Sequence, residues 1–386
     1  MSDIIPLSEP HISGNEWEYA KECLDTGWVS SAGKYVDLFE KKIAEYTGSK
    51  YAVSCINGTS ALQVSLRLVD VQPGDEVIIP TLTFIAPVNV VTFNCASLVF
   101  IDADNYYNID TEKTIEFINQ ETVFKDGFTY NKTTNKKISA IVPVHVWGNA
   151  CWLDELIPLC AERNIAVVED ATESLGTRYT NSKFSGKHVG TIGKMGCLSF
   201  NGNKIITTGG GGMILTDDPE LAEKAKYLTT QAKDDPVRYI HHEIGYNFRL
   251  TNIQAALGVA QLEQLPGFLD RKREIFSQYQ TELENIDGLT LANVPDYACN
   301  NHWMNILQVN SEVYGEDLEL LMQRLKESRI QTRPVWTLNH LQKPYRDCQN
   351  YRIERAIELV GKSLCLPSST NLTDDNLNHL LSQLNG

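Results

Sequence analysis

No Cys-x-x-Cys pair occurs in the 386 residues, and the nine cysteines are scattered at positions 23, 55, 95, 151, 160, 197, 299, 348 and 365. That argues against zinc, and an odd, dispersed set fits a reducing compartment. Cys55 and Cys197 lie inside apolar runs, where a thiol serves as a small buried hydrophobe. No apolar stretch reaches bilayer-spanning length, and the opening Met-Ser-Asp-Ile-Ile-Pro is not a basic region leading into an apolar run, so a cytoplasmic protein with no membrane partner is expected. Positive charge is also scarce. Lys and Arg number 34 against 49 Asp and Glu, a formal charge of -15, and no basic cluster is present. Nucleic acid is therefore not the expected partner, because phosphate contacts need clustered cations, and an anionic substrate would need a local positive group. Internal repeats and low-complexity segments are missing, and Asn131-Lys132-Thr133 matches a glycosylation acceptor only by chance. What remains, 42% apolar and 22% charged, is the composition of a soluble globular chain long enough for a large core and two domains.

The stretch that organises the chain runs from Ser199-Phe200 through Lys204 to Gly209-Gly210-Gly211-Gly212, with a second apolar strand beginning at Met213. Glycines let another backbone or a ligand approach closely. A lysine partly desolvated beside them loses some preference for its charged form, and the neutral amine can attack carbonyls. On an open surface loop the same lysine would be a solvated charge. The glycine run leads into a strand and not a helix, against the fingerprint of a Rossmann dehydrogenase.

Strand and helix signals alternate before it. Tyr51–Ile56 reads as a buried strand, followed by Asn57-Gly58-Thr59-Ser60 and a helix with Leu62, Leu66 and Val69 on one face. Such a helix start suits phosphate, and an ordinary capped turn reads the same way. Strands are expected at 76–79, 98–101, 138–146 and 165–168, the last ending in Glu169-Asp170, with helices near 86–93 and 153–163 and a polar, aperiodic insertion at 119–137. This alternation predicts an α/β fold with a mostly parallel sheet, whose ligands sit beyond the C-terminal strand ends, where Asn57 to Ser60, Asp170 and Phe84 fall. Thr251-Asn-Ile-Gln254 predicts a capping box opening a long helix that passes Pro266 with a kink and ends near Glu284. A strand at 305–309, a helix at 318–326 and a last helix carrying Leu377, Leu380, Leu381 and Leu384 complete the chain. The expected domains are 1–250, large, with its N-terminal segment packing on the small domain, and 251–386, the long helix plus a smaller C-terminal α+β domain.

A strand-end lysine, a phosphate-ready helix start, a strand-end aspartate and a nearby aromatic together suit pyridoxal 5'-phosphate, which needs an amine, phosphate donors, a carboxylate on its ring nitrogen and a flat partner. At this point the chain resembles the fold-type I sugar aminotransferases that aminate nucleotide-linked keto-sugars, over essentially its whole length. The matching pieces are 27–33 (Gly-Trp-Val-Ser-Ser-Ala-Gly), 57–61 (Asn-Gly-Thr-Ser-Ala), 80–84 (Pro-Thr-Leu-Thr-Phe), 169–171 (Glu-Asp-Ala), Ser199-Phe200 with Lys204, and 245–251 (Gly-Tyr-Asn-Phe-Arg-Leu-Thr). The resemblance implies that Lys204 carries the cofactor's Schiff base and Asp170 pairs with its ring nitrogen. It implies that Thr59, Ser60 and Ser199, beside Gly58, hold the phosphate and that Phe84 stacks on the ring. It also implies that Asn247 reaches the phosphate of a neighbouring subunit, hence a homodimer with shared active sites, and that Trp28, Ser30 and Trp336 contact substrate. Glu173 stands where most of that family has Gln. With the polar insertion and Arg333-Pro334-Val335-Trp336, it looks most like the branch serving bacillosamine and legionaminic acid synthesis. That branch takes a UDP-linked 4-keto-6-deoxy-N-acetylglucosamine to the 4-amino sugar with glutamate as donor; a dTDP- or GDP-linked keto-sugar is the alternative. A related dehydratase branch has histidine in place of this lysine, and a non-catalytic binding module would lack Lys204 or Asp170.

Overall fold

In the computed structural model, which describes residues 4–235 and 237–385, a large mixed sheet carries the helices on its faces. Its main path runs, in spatial order, through Tyr51–Cys55, Gly212–Thr216, Met195–Ser199, Ala166–Asp170, Lys137–Ile141, Glu76–Pro80, Ser97–Ile101 and Gln349–Tyr351. Only Gly212–Thr216 runs against its two neighbours; the pairings from Met195–Ser199 outward are parallel. The C-terminal ends of four strands, at Cys55, Ser199, Asp170 and Pro80, therefore open on one edge, as expected of an α/β sheet. These strands read as near-continuous apolar runs because both faces are covered, and Ile78, Ile79, Val168 and Leu198 are fully buried.

The glycine run has a specific cause. A Cβ at Gly212 would lie 2.5 Å from the Asn57 carbonyl carbon and 2.7 Å from the Gly58 nitrogen. Gly212 thus admits another backbone, the start of the Gly58–Leu68 helix, while Gly209 and Gly211 sit at φ 79 and 129, a region that favours glycine.

Several boundaries differ from expectation. The strand expected at 138–146 ends at Ile141, and beyond Pro143 only Val144 bridges to Asp170. Proline has no N–H for the ladder. The helix expected at 153–163 covers Leu156–Glu162. The aperiodic insertion holds a hairpin, Thr122–Lys125 with Phe128–Asn131, turned by Asp126 and Gly127 at φ 52 and 82. Asp-Gly is the standard sequence signal for such a turn, masked here by the polar strands around it. The capping box at Thr251 is present, and the helix it opens, Asn252–Leu283, continues unbroken through Pro266.

A second, four-stranded antiparallel sheet joins Leu289–Leu291, Asn305–Val309, Ser363–Leu366 and Arg333–Pro334. Its core gathers Tyr279, Leu283, Leu307, Leu325, Leu364 and the leucines of the terminal Asp374–Leu384 helix, with Ile5 from the other end of the chain. The chain also returns from this part to the large sheet, where Gln349–Tyr351 pairs with Ser97–Ile101. All nine thiols are free. Among the described residues no helix is long and apolar enough to cross a membrane.

Candidate active site

The open sheet edge and the second sheet enclose a cavity of about 680 Å³. Lys204, Asp170, Glu173, Gly58, Thr59, Phe84, Ser199 and Trp336 all line it. Ser60, the third residue of the helix, does not; its backbone N–H donates to Asn57 Oδ1 at 2.7 Å, the cap that starts the helix. Asn247 is exposed outside this cavity, where its Oδ1 accepts from Arg249 Nε at 3.0 Å. Trp28 and Ser30 also lie outside it, and their carbonyls accept from Asn252 Nδ2 and Asn252 N.

Asp170 ends the Ala166–Asp170 strand, 2% exposed, and its Oδ1 accepts the Thr172 N–H at 3.0 Å. Burial raises its carboxyl above the ordinary range, and that Thr172 bond and the Lys204 charge only partly offset the burial. The strand end is pinned by Glu169, the preceding residue. Burial alone would raise the Glu169 carboxyl, but His145 and the backbone N–H groups of Gly190, Ile192 and Gly193 hold it below the usual value. His145 Nδ1 accepts from Cys151 N, so the ring proton sits on Nε2 and donates to Glu169.

Lys204 follows Ser199 in a tight turn, its N–H bonded to Asn201 O at 3.0 Å. Its Nζ donates to Glu173 Oε1 at 3.3 Å and lies 4.1 Å from the centre of the Trp303 ring. Glu173 Oε2 accepts the N–H of Trp147, which is buried and held in the left-handed region at φ 54. A bulky residue stays there only when its surroundings over-determine it. Here the Glu173 bond and rings of Tyr107 and Trp336, 4.9 and 5.1 Å away, do so. Trp336 in turn meets Phe84 edge-on at 6.1 Å.

Sequence reasoning missed Trp147, Trp303, Thr83 and Arg333 as site residues. Arg333 was legible only as part of a tetrapeptide; with Lys204 it is one of the two cations lining the cavity among the described residues. Thr83 is 1% exposed and its hydroxyl has no partner among the described residues, a buried polar atom on the cavity wall that a ligand would satisfy.

These residues fit pyridoxal phosphate. A Cβ at Gly58 would meet Ser199 Cβ at 2.9 Å and Thr172 Cγ2 at 3.0 Å, so glycine brings the helix start and its free amides against Ser199. Thr59 and Ser199 supply hydroxyls for a phosphate, Asp170 a buried carboxylate for a ring nitrogen, Phe84 a flat face and Lys204 the amine.

Residues 10–385 match the sequence model of the DegT/DnrJ/EryC1/StrS aminotransferase family. The chain belongs to this family. It is similar to a putative pyridoxal phosphate-dependent aminotransferase, EpsN, of Bacillus subtilis strain 168, at 36% identity over 98% of this chain and 95% of that protein. It is also similar to the GDP-perosamine synthase of Escherichia coli O157:H7, at 37% identity over 99% and 98%. Its fold matches DesI, solved in the presence of its TDP-sugar product, with a TM-score of 0.88 and 25% identity over 100% of this chain and 93% of that one. The protein is thus a pyridoxal-phosphate-dependent nucleotide-sugar aminotransferase of the fold-type I architecture.

Glu173 carries a prediction about this aminotransferase. Burial raises its carboxyl, while the Lys204 charge and the Trp147 N–H oppose the rise. The resemblance implies that Glu173 would stand beside the cofactor's phenolic oxygen, where a neutral carboxyl would donate as Gln does, whereas two anions in one desolvated pocket would cost more. We expect Glu173→Gln to keep activity within about 3-fold, on the scale of a conserved hydrogen bond, and to leave the pH midpoint of the bound cofactor's absorbance nearly unmoved. A clear fall in that midpoint would show an ionised Glu173.

Proposed function

We propose that the aminotransferase puts an amino group from glutamate onto a UDP-linked 4-keto-6-deoxy-N-acetylglucosamine, in the synthesis of a bacterial surface-glycan sugar. The reading of transamination is carried by one observation, that Lys204 Nζ and the carboxyls of Asp170 and Glu173 line the same cavity. Pyridoxal phosphate, when bound, accepts the electron pair left by a breaking C–H bond and carries the amino group from donor to acceptor. The chain's residues do the rest. Lys204 Nζ takes and returns the proton at the reacting carbon, and Asp170 holds the proton on the ring nitrogen. Thr59 and Ser199 bind the phosphate, and Phe84 and Trp336 flank the ring and the sugar. Arg333 supplies the local positive charge that an anionic sugar nucleotide needs on a protein of formal charge -15.

Glu173 and the Arg333-to-Trp336 segment support the UDP-linked acetamido sugar through their resemblance to that branch. A second reading, a GDP-linked 4-keto sugar, is supported by the likeness to GDP-perosamine synthase. Purified enzyme with glutamate should aminate the UDP acetamido sugar with a kcat/KM at least about 100-fold above the dTDP and GDP sugars, because a site built to bond the acetamido group leaves polar atoms unpaired without it. Preference for the GDP sugar replaces the first reading by the second. Amination of none of them removes both.

The same proposal makes the working unit a dimer whose sites draw on two chains, with Asn247, outside its own cavity, reaching the neighbouring subunit's phosphate. Mixing inactive Lys204→Ala protein with Asn247→Ala protein should then restore activity, up to about a quarter of wild type if subunits exchange freely and one intact site forms per heterodimer. Unchanged cofactor affinity in Asn247→Ala alone would remove that contact.

A further inference from the structure

Lys272, in the Asn252–Leu283 helix, is only 3% exposed, and among the described residues no carboxylate pairs with it. Its Nζ donates instead to the Trp303 carbonyl at 3.0 Å, to the Ser368 carbonyl, and to Ser368 Oγ at 3.3 Å. Burial pushes its ammonium down to about 7. A desolvated cation held only by carbonyls and a hydroxyl is costly, and an apolar side chain would fill the same space. The mechanism described above makes no use of it.

The other end of its main partner lies in the active site. Trp303 Nε1 donates at 2.7 Å to the carbonyl of Asn203, the residue before Lys204, and the indole ring lies 4.1 Å from Lys204 Nζ. The Trp303 carbonyl that Lys272 grips also accepts from Ser368 Oγ at 2.7 Å, and Ser368 N donates to the carbonyl of Leu7, which lines the cavity. Trp303 is thus clamped at its backbone by the long helix and the segment after the second sheet, while its ring and N–H hold the turn that presents the reacting amine. We infer that Lys272 is a positioning residue for transamination, holding Trp303 so that its ring and indole N–H orient Lys204 from a distance. Reacting groups must be held to within a fraction of an ångström to keep their effective concentration, so a slack Trp303 slows the chemistry without touching substrate.

The test is a double-mutant cycle in the holoenzyme. The rate measured is that of the glutamate half-reaction, followed by the change in cofactor absorbance, which does not depend on the sugar accepted. Lys272→Met should lower the maximal rate about 10-fold, leaving the glutamate concentration at half-maximal rate and the cofactor content near wild type. In a Trp303→Leu background the same change should cost less than about 2-fold, because the group through which Lys272 acts is already gone. Equal losses in both backgrounds overturn the inference, since a merely structural lysine would matter with or without the indole. If Lys272→Met does not fold, Ser368→Ala removes a milder part of the same clamp and enters the cycle in its place. The inference rests on Lys204 being the cofactor's lysine, so borohydride labelling of wild type is the control. A label on another residue overturns both readings; additive losses with the label on Lys204 overturn this one alone.

Discussion

Lys204→Ala protein is expected to transaminate at less than about 1/10,000 of the wild-type rate, the scale of losing the group that both attacks and transfers protons. Nothing else in the cavity can substitute. The only other cation lining it among the described residues is Arg333, and a guanidinium stays protonated and does not act as an amine nucleophile. Wild-type protein should be yellow and should lose that colour on borohydride treatment, with the cofactor fixed to the peptide containing Lys204; labelling of another lysine would overturn the assignment. Removing Lys204 also strips Glu173 Oε1 of its 3.3 Å partner inside a buried site. Lys204→Gln, which keeps a hydrogen-bond donor toward Glu173, is therefore the companion variant, equally inactive and closer to wild type in stability.

Asp170→Asn should cost at least about 100-fold in kcat, the scale of removing one preorganised electrostatic contact at a reacting centre. The amide keeps the shape and can still accept from Thr172, so the loss isolates the charge that would hold the ring nitrogen protonated. Stability of the cofactor-free protein should move the other way. Burial raises the folded-state pKa of Asp170 above its ordinary 3.8, so the native state binds the proton more tightly than the unfolded chain. The wild-type apoprotein therefore loses stability as pH rises from about 3.8 through the raised value. Asp170→Asn has no proton to lose. Its melting temperature relative to wild type should increase across that window and stay at or above wild type at pH 7, while kcat stays at least about 100-fold down. Equal pH dependence of the two apoproteins would show that Asp170 is not the desolvated group described here.

Much of this site could be read before folding is considered, and the reason is local. Asp170 at the end of Val-Val-Glu-Asp, the Asn57 cap before Gly58, the capping box at Thr251 and the lysine between Ser199 and the glycines are signals carried by neighbours in the chain. Backbone periodicity and capping chemistry make such signals legible without a fold. What lies around those residues was decided by tertiary structure. Trp147, Trp303 and Thr83 were not marked as site residues by their neighbours, Arg333 was marked only within its tetrapeptide, and Trp303 reaches Lys204 from 99 positions away (303 − 204). Ser60, Asn247, Trp28 and Ser30 follow from resemblance, yet in this chain they stand outside its own cavity. Lys272 on a long amphipathic helix reads as one more solvated cation until packing buries it against Trp303 and Ser368. The physical division is one of range. Hydrogen-bond caps and side-chain periodicity act over about four residues and are written in order along the chain. Desolvation, ring contacts and buried polar bonds depend on which distant segments the core brings together, and they exist only once it has formed.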